Sequence, residues 1–155
     1  MIQRIQTLYL LLIVTLSLVT LFSPMADLVN NDEAVRYILN FKGIIKIQDA
    51  GNLFVENVWA LTALSALIPA VSLISIFLFK KRVLQIRLTF FNIVLMAGYY
   101  GLLFIYLWIA GERYHAEWFL SIVTAFPLVN IVLSFLVIRA IGKDEALIKS
   151  LNRLR

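Results

Sequence analysis

IQTLYLLLIVTLSLVTLFSPMA, residues 5–26, runs for 22 positions without a charge. A hydrocarbon core ~30 Å thick is crossed by ~20 apolar residues of helix, so this stretch reads as a membrane span. Three more stretches share the property: residues 57–79, 88–111 and 118–138, of 23, 24 and 21 residues. The four runs take up 90 of the 155 residues, which leaves room for one integral membrane domain. Only 15% of the chain is charged, against ~25% in soluble proteins. The first run exceeds the apolar core of a secretory signal, and in its Ser-Pro-Met-Ala close Pro24 would fall at position −3 of a cleavage site after Ala26, so it is expected to be retained as a helix.

The segments between the runs set orientation. With the N-terminus inside, the inner segments (residues 1–4, 80–87 and 139–155) hold ten Lys and Arg against two acids. The outer segments (27–56 and 112–117) hold four basic residues against seven acids. Lys and Arg in short loops stay on the cytoplasmic side, so both termini are expected there. The same distribution argues against nucleic acid as the partner of a chain with net charge +5, because the basic residues bracket the apolar runs.

The first outer segment alternates by period two. Val35, Tyr37, Leu39, Phe41, Ile45 and Ile47 are interleaved with Arg36, Asn40, Lys42, Lys46 and Gln48. Gly43 marks a bulge or turn, and Asp49-Ala50-Gly51-Asn52 marks a second turn before Leu53-Phe54-Val55. Two or three short strands over the outer mouth of the bundle are expected. In the C-terminal segment, Gly142 is expected to break the fourth helix. Asp144 and Glu145 then open a short amphipathic helix with Leu147, Leu151 and Leu154 on one side, closed by Lys149, Arg153 and Arg155. The expected fold is an all-α membrane protein: a four-transmembrane-helix bundle with a small β-rich outer loop and a C-terminal amphipathic cytoplasmic helix.

The interior chemistry is mild. A charge at the centre of a membrane helix costs ~2.5–3.5 kcal/mol and normally marks a transport or proton path; the four runs carry none. The chain has no Cys, which removes thiol, disulfide and iron–sulfur chemistry. Its single His, His115, sits beside Tyr114 and Trp118 and reads as part of an interfacial aromatic belt. No phosphate-binding Gly loop, zinc-helix motif or nucleophile elbow occurs, so no catalytic residue, cofactor or metal is assigned. Thr62, Ser65, Pro69 and Ser72 form a stripe on the second helix; Thr124, Pro127, Asn130 and Ser134 share a face of the fourth. Ser65, Ser72, Asn92, Asn130 and Ser134 are therefore expected to make interhelical polar contacts, with Asn92 paired to Asn130. Glu112 and Glu117 read as solvated.

Three stretches carry a family resemblance: MIQRIQTLYL at 1–10, FLFKKRVLQIRL at 77–88, and RAIGKDEALIKS at 139–150 with Arg153-Leu154-Arg155. Together they resemble a family of small four-helix bacterial inner-membrane proteins, domain of unknown function 4293. The resemblance spans the chain and implies a bacterial inner-membrane location, without implying any catalytic residue. Leu151-Asn152 stands where the family pattern has Ala-Asp. All three stretches fall on the expected cytoplasmic side. The candidate partner-binding surface is accordingly Arg4, Lys80, Lys81, Arg82, Gln85, Arg87, Arg139, Lys143, Asp144, Glu145, Lys149, Arg153 and Arg155. Anchoring to anionic lipid explains the charges, at ~1 kcal/mol per basic residue, but not Gln3, Gln6 or Gln85. The expected function is a non-enzymatic accessory or scaffold subunit that contacts membrane lipid and a protein partner, or a second copy of itself. The alternative is a small transporter, flippase or lipid-binding protein.

Overall fold

The computed structural model describes residues 3–30, 35–48, 51–79 and 81–153. Helix α1 (Gln3–Phe22) leads into strands β1 (Ala26–Asn30), β2 (Val35–Asn40), β3 (Gly43–Gln48) and β4 (Gly51–Glu56). Helices α2 (Trp59–Phe77) and α3 (Arg82–Tyr114) follow, then β5 (Glu117–Leu120), a 3₁₀ turn at Ile122–Ala125, and α4 (Phe126–Arg153). All four helices are long and apolar enough to cross a membrane. They pack in a ring, α1 against α2 and α4, and α3 against α2 and α4.

The all-α expectation is wrong. The strands form one five-stranded antiparallel sheet, in the order β4-β3-β2-β1-β5. It is also larger than the expected two or three strands, because both of the strands it gains begin or lie in apolar runs. Pro24 follows the end of α1 and cannot continue it, and β1 starts at Ala26 with Ala26, Leu28 and Asn30 buried. β5 takes Trp118, Phe119 and Leu120, which absence of charge alone assigned to the fourth span; they pair with Leu28, Asp27 and Ala26. An apolar run is compatible with a strand as well as a helix, and only the partner strand decides.

One face of the sheet closes an end of the bundle. Ala26 lies opposite Leu39, and Leu28 opposite Tyr37; all four are buried with Met25, Val58, Leu103 and Leu107. Thr62 donates its hydroxyl to the Phe41 carbonyl, and the Ser121 N–H donates to Met25 O at 3.1 Å. Phe41-Lys42 turn the chain between Asn40 and Gly43. Gly43 has φ +140°, and a Cβ there would lie 2.2 Å from Glu56 O, so both backbone angle and space require glycine.

Helix ends also differ from expectation. α3 runs to Tyr114 and is closed by His115 in the left-handed region, with the Ala116 N–H on Gly111 O. α4 passes through Gly142 without a break, so the tail is not a separate helix. A glycine lowers helix stability by ~1 kcal/mol relative to alanine, too little to stop a helix that is flanked on both sides by good helix formers.

Candidate functional site

The buried positions of each helix recur at three- and four-residue steps. α1 buries Gln6, Leu10, Ile13, Ser17 and Thr20; α3 buries Gln85, Thr89, Asn92, Met96, Tyr99, Leu103, Leu107 and Ala110. α2 contributes Leu61, Ser65, Ile68, Ser72 and Ser75, and α4 contributes Pro127, Asn130, Ser134, Val137 and Ile141. This 3–4 spacing turns one stripe of each helix inward, as a seam between the helices. The seam is unusually polar, whereas the outward faces carry Leu8, Leu11, Phe77, Phe90, Ile105, Val132 and Phe135, all exposed.

Most of the buried hydroxyls are satisfied within their own helix. Thr20, Thr89 and Ser134 donate to the carbonyls of Leu16, Gln85 and Asn130, and Ser65 to Thr62. Others cross between helices: the Leu128 N–H of α4 donates to the Tyr100 hydroxyl of α3 at 3.2 Å, and two buried asparagines make further bonds. Asn92 Nδ2 donates to Ser72 Oγ at 2.7 Å, joining α3 to α2. Asn130 Nδ2 donates to Ser17 Oγ at 3.0 Å and to Ile13 O at 3.5 Å, joining α4 to α1. Asn92 and Asn130 do not pair with each other; each faces a different neighbour in the ring. Near Asn130 a cavity of about 10 Å³ lies among Ser17, Thr20, Ser65, Tyr99 and Pro127. That is the room one water needs, and far from the space of a lipid chain or drug-sized solute. The Tyr99 hydroxyl and Asn130 Oδ1, both buried, have no protein partner.

The inner-face candidates gather at the end of the bundle away from the sheet. Arg4 falls in the first turn of α1. Lys81 directly precedes α3 and is exposed; Arg82 opens it, half-buried, with Nη1 enclosed and unpartnered; Arg87 is exposed. Gln85 is buried at 4% exposure and Gln6 at 7%, so these two glutamines belong to the seam and not to an open surface. Arg139 and Lys143 are exposed on α4, and Asp144, Glu145, Lys149 and Arg153 lie along its final turns. Lys80 and Arg155 lie outside the described residues.

At the sheet end, Glu56 receives Arg113 Nη1 at 2.9 Å and the Tyr114 hydroxyl at 3.2 Å, which ties β4 to the end of α3. Tyr114 stacks on Tyr37 at 4.7 Å, and its carbonyl accepts Asn30 Nδ2 at 2.9 Å. Beside this clamp, between the end of α3 and β5, lies an open groove of about 520 Å³. Trp108, Gly111 and Glu112 line one side, and Glu117, Trp118 and Phe119 the other. Periodicity gives no hint of this groove, because β5 is hidden inside an apolar run. Of its aromatic residues, the sequence marks only Trp118, as an interfacial aromatic beside His115. Among the described residues, no three of His, Asp or Glu meet in a way that could hold a metal ion.

A family model described as a domain of unknown function, DUF4293, matches residues 2–154. The chain belongs to that family. No curated protein matches it, and no solved structure does. The DUF4293 match covers the helices, the sheet and the inner-end residues together, and it brings no activity with it. Functional assignment within this DUF4293 chain therefore rests on geometry.

Proposed function

We propose that the chain is a membrane-embedded, non-enzymatic accessory or scaffold protein that binds a partner through its basic inner end. The observation that carries the membrane part is the inverted polarity of the bundle. Gln, Ser, Thr and Asn share the inside of the helices with Leu, Ile, Val and Met, and the outward faces are Leu, Ile, Val and Phe. A soluble bundle has the opposite arrangement, since water penalises exposed apolar faces of this extent. In lipid the helices gain nothing by hiding apolar surface, and small or hydrogen-bonding residues at the seam hold them together. Four spans with both ends on the cytoplasmic side follow the positive-inside count, in a bacterial inner membrane.

The scaffold part is supported by α4. Its last core residue is Ile141, at 0% exposure, and the helix continues to Arg153. Twelve further residues at 1.5 Å each carry the helix ~18 Å past Ile141. Along that stretch the sequence carries Lys143, Asp144, Glu145, Lys149 and Arg153, charges of both signs for a partner. Lys81 and Arg87, both exposed at the same end, add positive charge suited to a partner's carboxylates. The closed seam counts against solute passage through the bundle in this conformation.

Removal of residues 144–155, followed by in-cell crosslinking and mass spectrometry, tests the reading. Loss of specific crosslinked partners, with the truncated protein still inserted in the membrane, is the expected outcome. An unchanged partner list refutes it.

A further inference from the structure

We infer that the groove between the end of α3 and β5 is a binding site for an amphiphilic organic cation, one carrying a quaternary ammonium or phosphonium on an apolar body. This goes beyond the scaffold reading and uses no residue of the inner end. The groove's volume, about 520 Å³, is in the range that takes a drug-sized ligand. Its walls are the rings of Trp108, Trp118 and Phe119, exposed at 69%, 43% and 55%. Indole faces attract cations held within ~6 Å of the ring centre.

The charge pattern selects the sign of the ligand. Trp108 Nε1 donates to Glu112 Oε1 at 2.7 Å, which holds that carboxylate beside the indole and leaves its second oxygen open. Glu117 supplies a second carboxylate across the groove. Neither makes an ion pair among the described residues. The nearby cation Arg113 is committed to Glu56, and Arg36 to Asp27. Gly111 and Glu112 also lie in the last turn of α3, the negative end of the helix dipole, although the Gly111 carbonyl is itself taken by the Ala116 N–H. Rings, carboxylates and helix end all favour a positive ligand and oppose an anionic or phosphate-bearing one.

The site is built into the fold. A Cβ on Gly111 would approach Trp118 Cδ1 to 3.4 Å and Ala116 O to 3.3 Å; glycine lets β5 lie close to α3. Trp118 is further held edge-on to Phe104 at 6.3 Å. Pairing of β5 with β1 fixes the wall that carries Glu117.

The test uses the full chain in phosphatidylcholine nanodiscs, titrated with radiolabelled tetraphenylphosphonium against empty discs. Saturable binding above the blank is expected, weakened tenfold or more in the doubly substituted Glu112→Gln, Glu117→Gln protein. Trp108→Leu, which keeps both charges, is expected to weaken it as well. Tetraphenylborate, an anion of the same shape, is expected to show no saturable component. Equal binding by wild type and the Gln variant, saturable binding of the anion, or no binding above the blank overturns the inference. Abolition of binding when phosphatidylethanolamine replaces half the lipid assigns the groove to a lipid headgroup and overturns it too.

Discussion

Asn130 and Tyr99 lie close together in the seam and differ in what they contribute. The Asn130 amide reaches Ser17 across the α1–α4 boundary, and its removal leaves that hydroxyl without this bond. Asn130→Ala is expected to lower stability by ~1 kcal/mol, at the scale of interhelical bonds in membrane bundles. The Tyr99 hydroxyl bonds to no group among the described residues; Tyr99→Phe is expected to change stability by less than ~1 kcal/mol, because no protein hydrogen bond is lost. Reversible unfolding in a denaturing detergent series measures both. A larger loss for Tyr99→Phe than for Asn130→Ala would show that the polar seam is organised around the tyrosine. Of the residues at this scale, the two asparagines stand out in sequence as amides in charge-free runs. Their partners do not, because a serine in a span looks the same whether it bonds its own helix or the next.

At the scale of elements, α4 and the sheet show where sequence reading reaches and where it stops. Apolar runs without charge mark all four helices. Strands β2, β3 and β4 follow from alternation and turn residues. β1 and β5 could not be read so, since they pair across about ninety residues of chain and neither alternates visibly against its neighbours. The groove beside β5 is illegible for the same reason, while the solvated reading of Glu112 and Glu117 agrees with their exposure. In α4, glycine misled: Gly142 is exposed, and nothing lies within 4 Å of a Cβ added there. Gly142→Ala is therefore expected to preserve the helix and steady its end by ~0.5–1 kcal/mol, seen as slower amide exchange over residues 143–153. Gly142→Pro is expected to speed exchange in the same residues. No difference between the two would mean that the tail is not continuous with α4.

On the whole-molecule scale, the sheet closes one end of a ring of four helices, and basic residues and the last turns of α4 occupy the other. Apolar side chains cover the outside between those ends, and the hydrogen-bonding ones are turned in. The two surfaces with candidate roles are thus on opposite ends, and the experiments on the inner end and the outer groove fail independently. All of this depends on the bundle crossing a membrane four times. The chain has no Cys, so single cysteines report sidedness without background. Asn52, exposed in β4, and Lys143, exposed on α4, mark the two ends. In intact spheroplasts, a membrane-impermeant maleimide is predicted to label Asn52→Cys and to reach Lys143→Cys only after the membrane is opened. Labelling of both from the same side, or release of the protein by alkaline carbonate washing, would contradict the account.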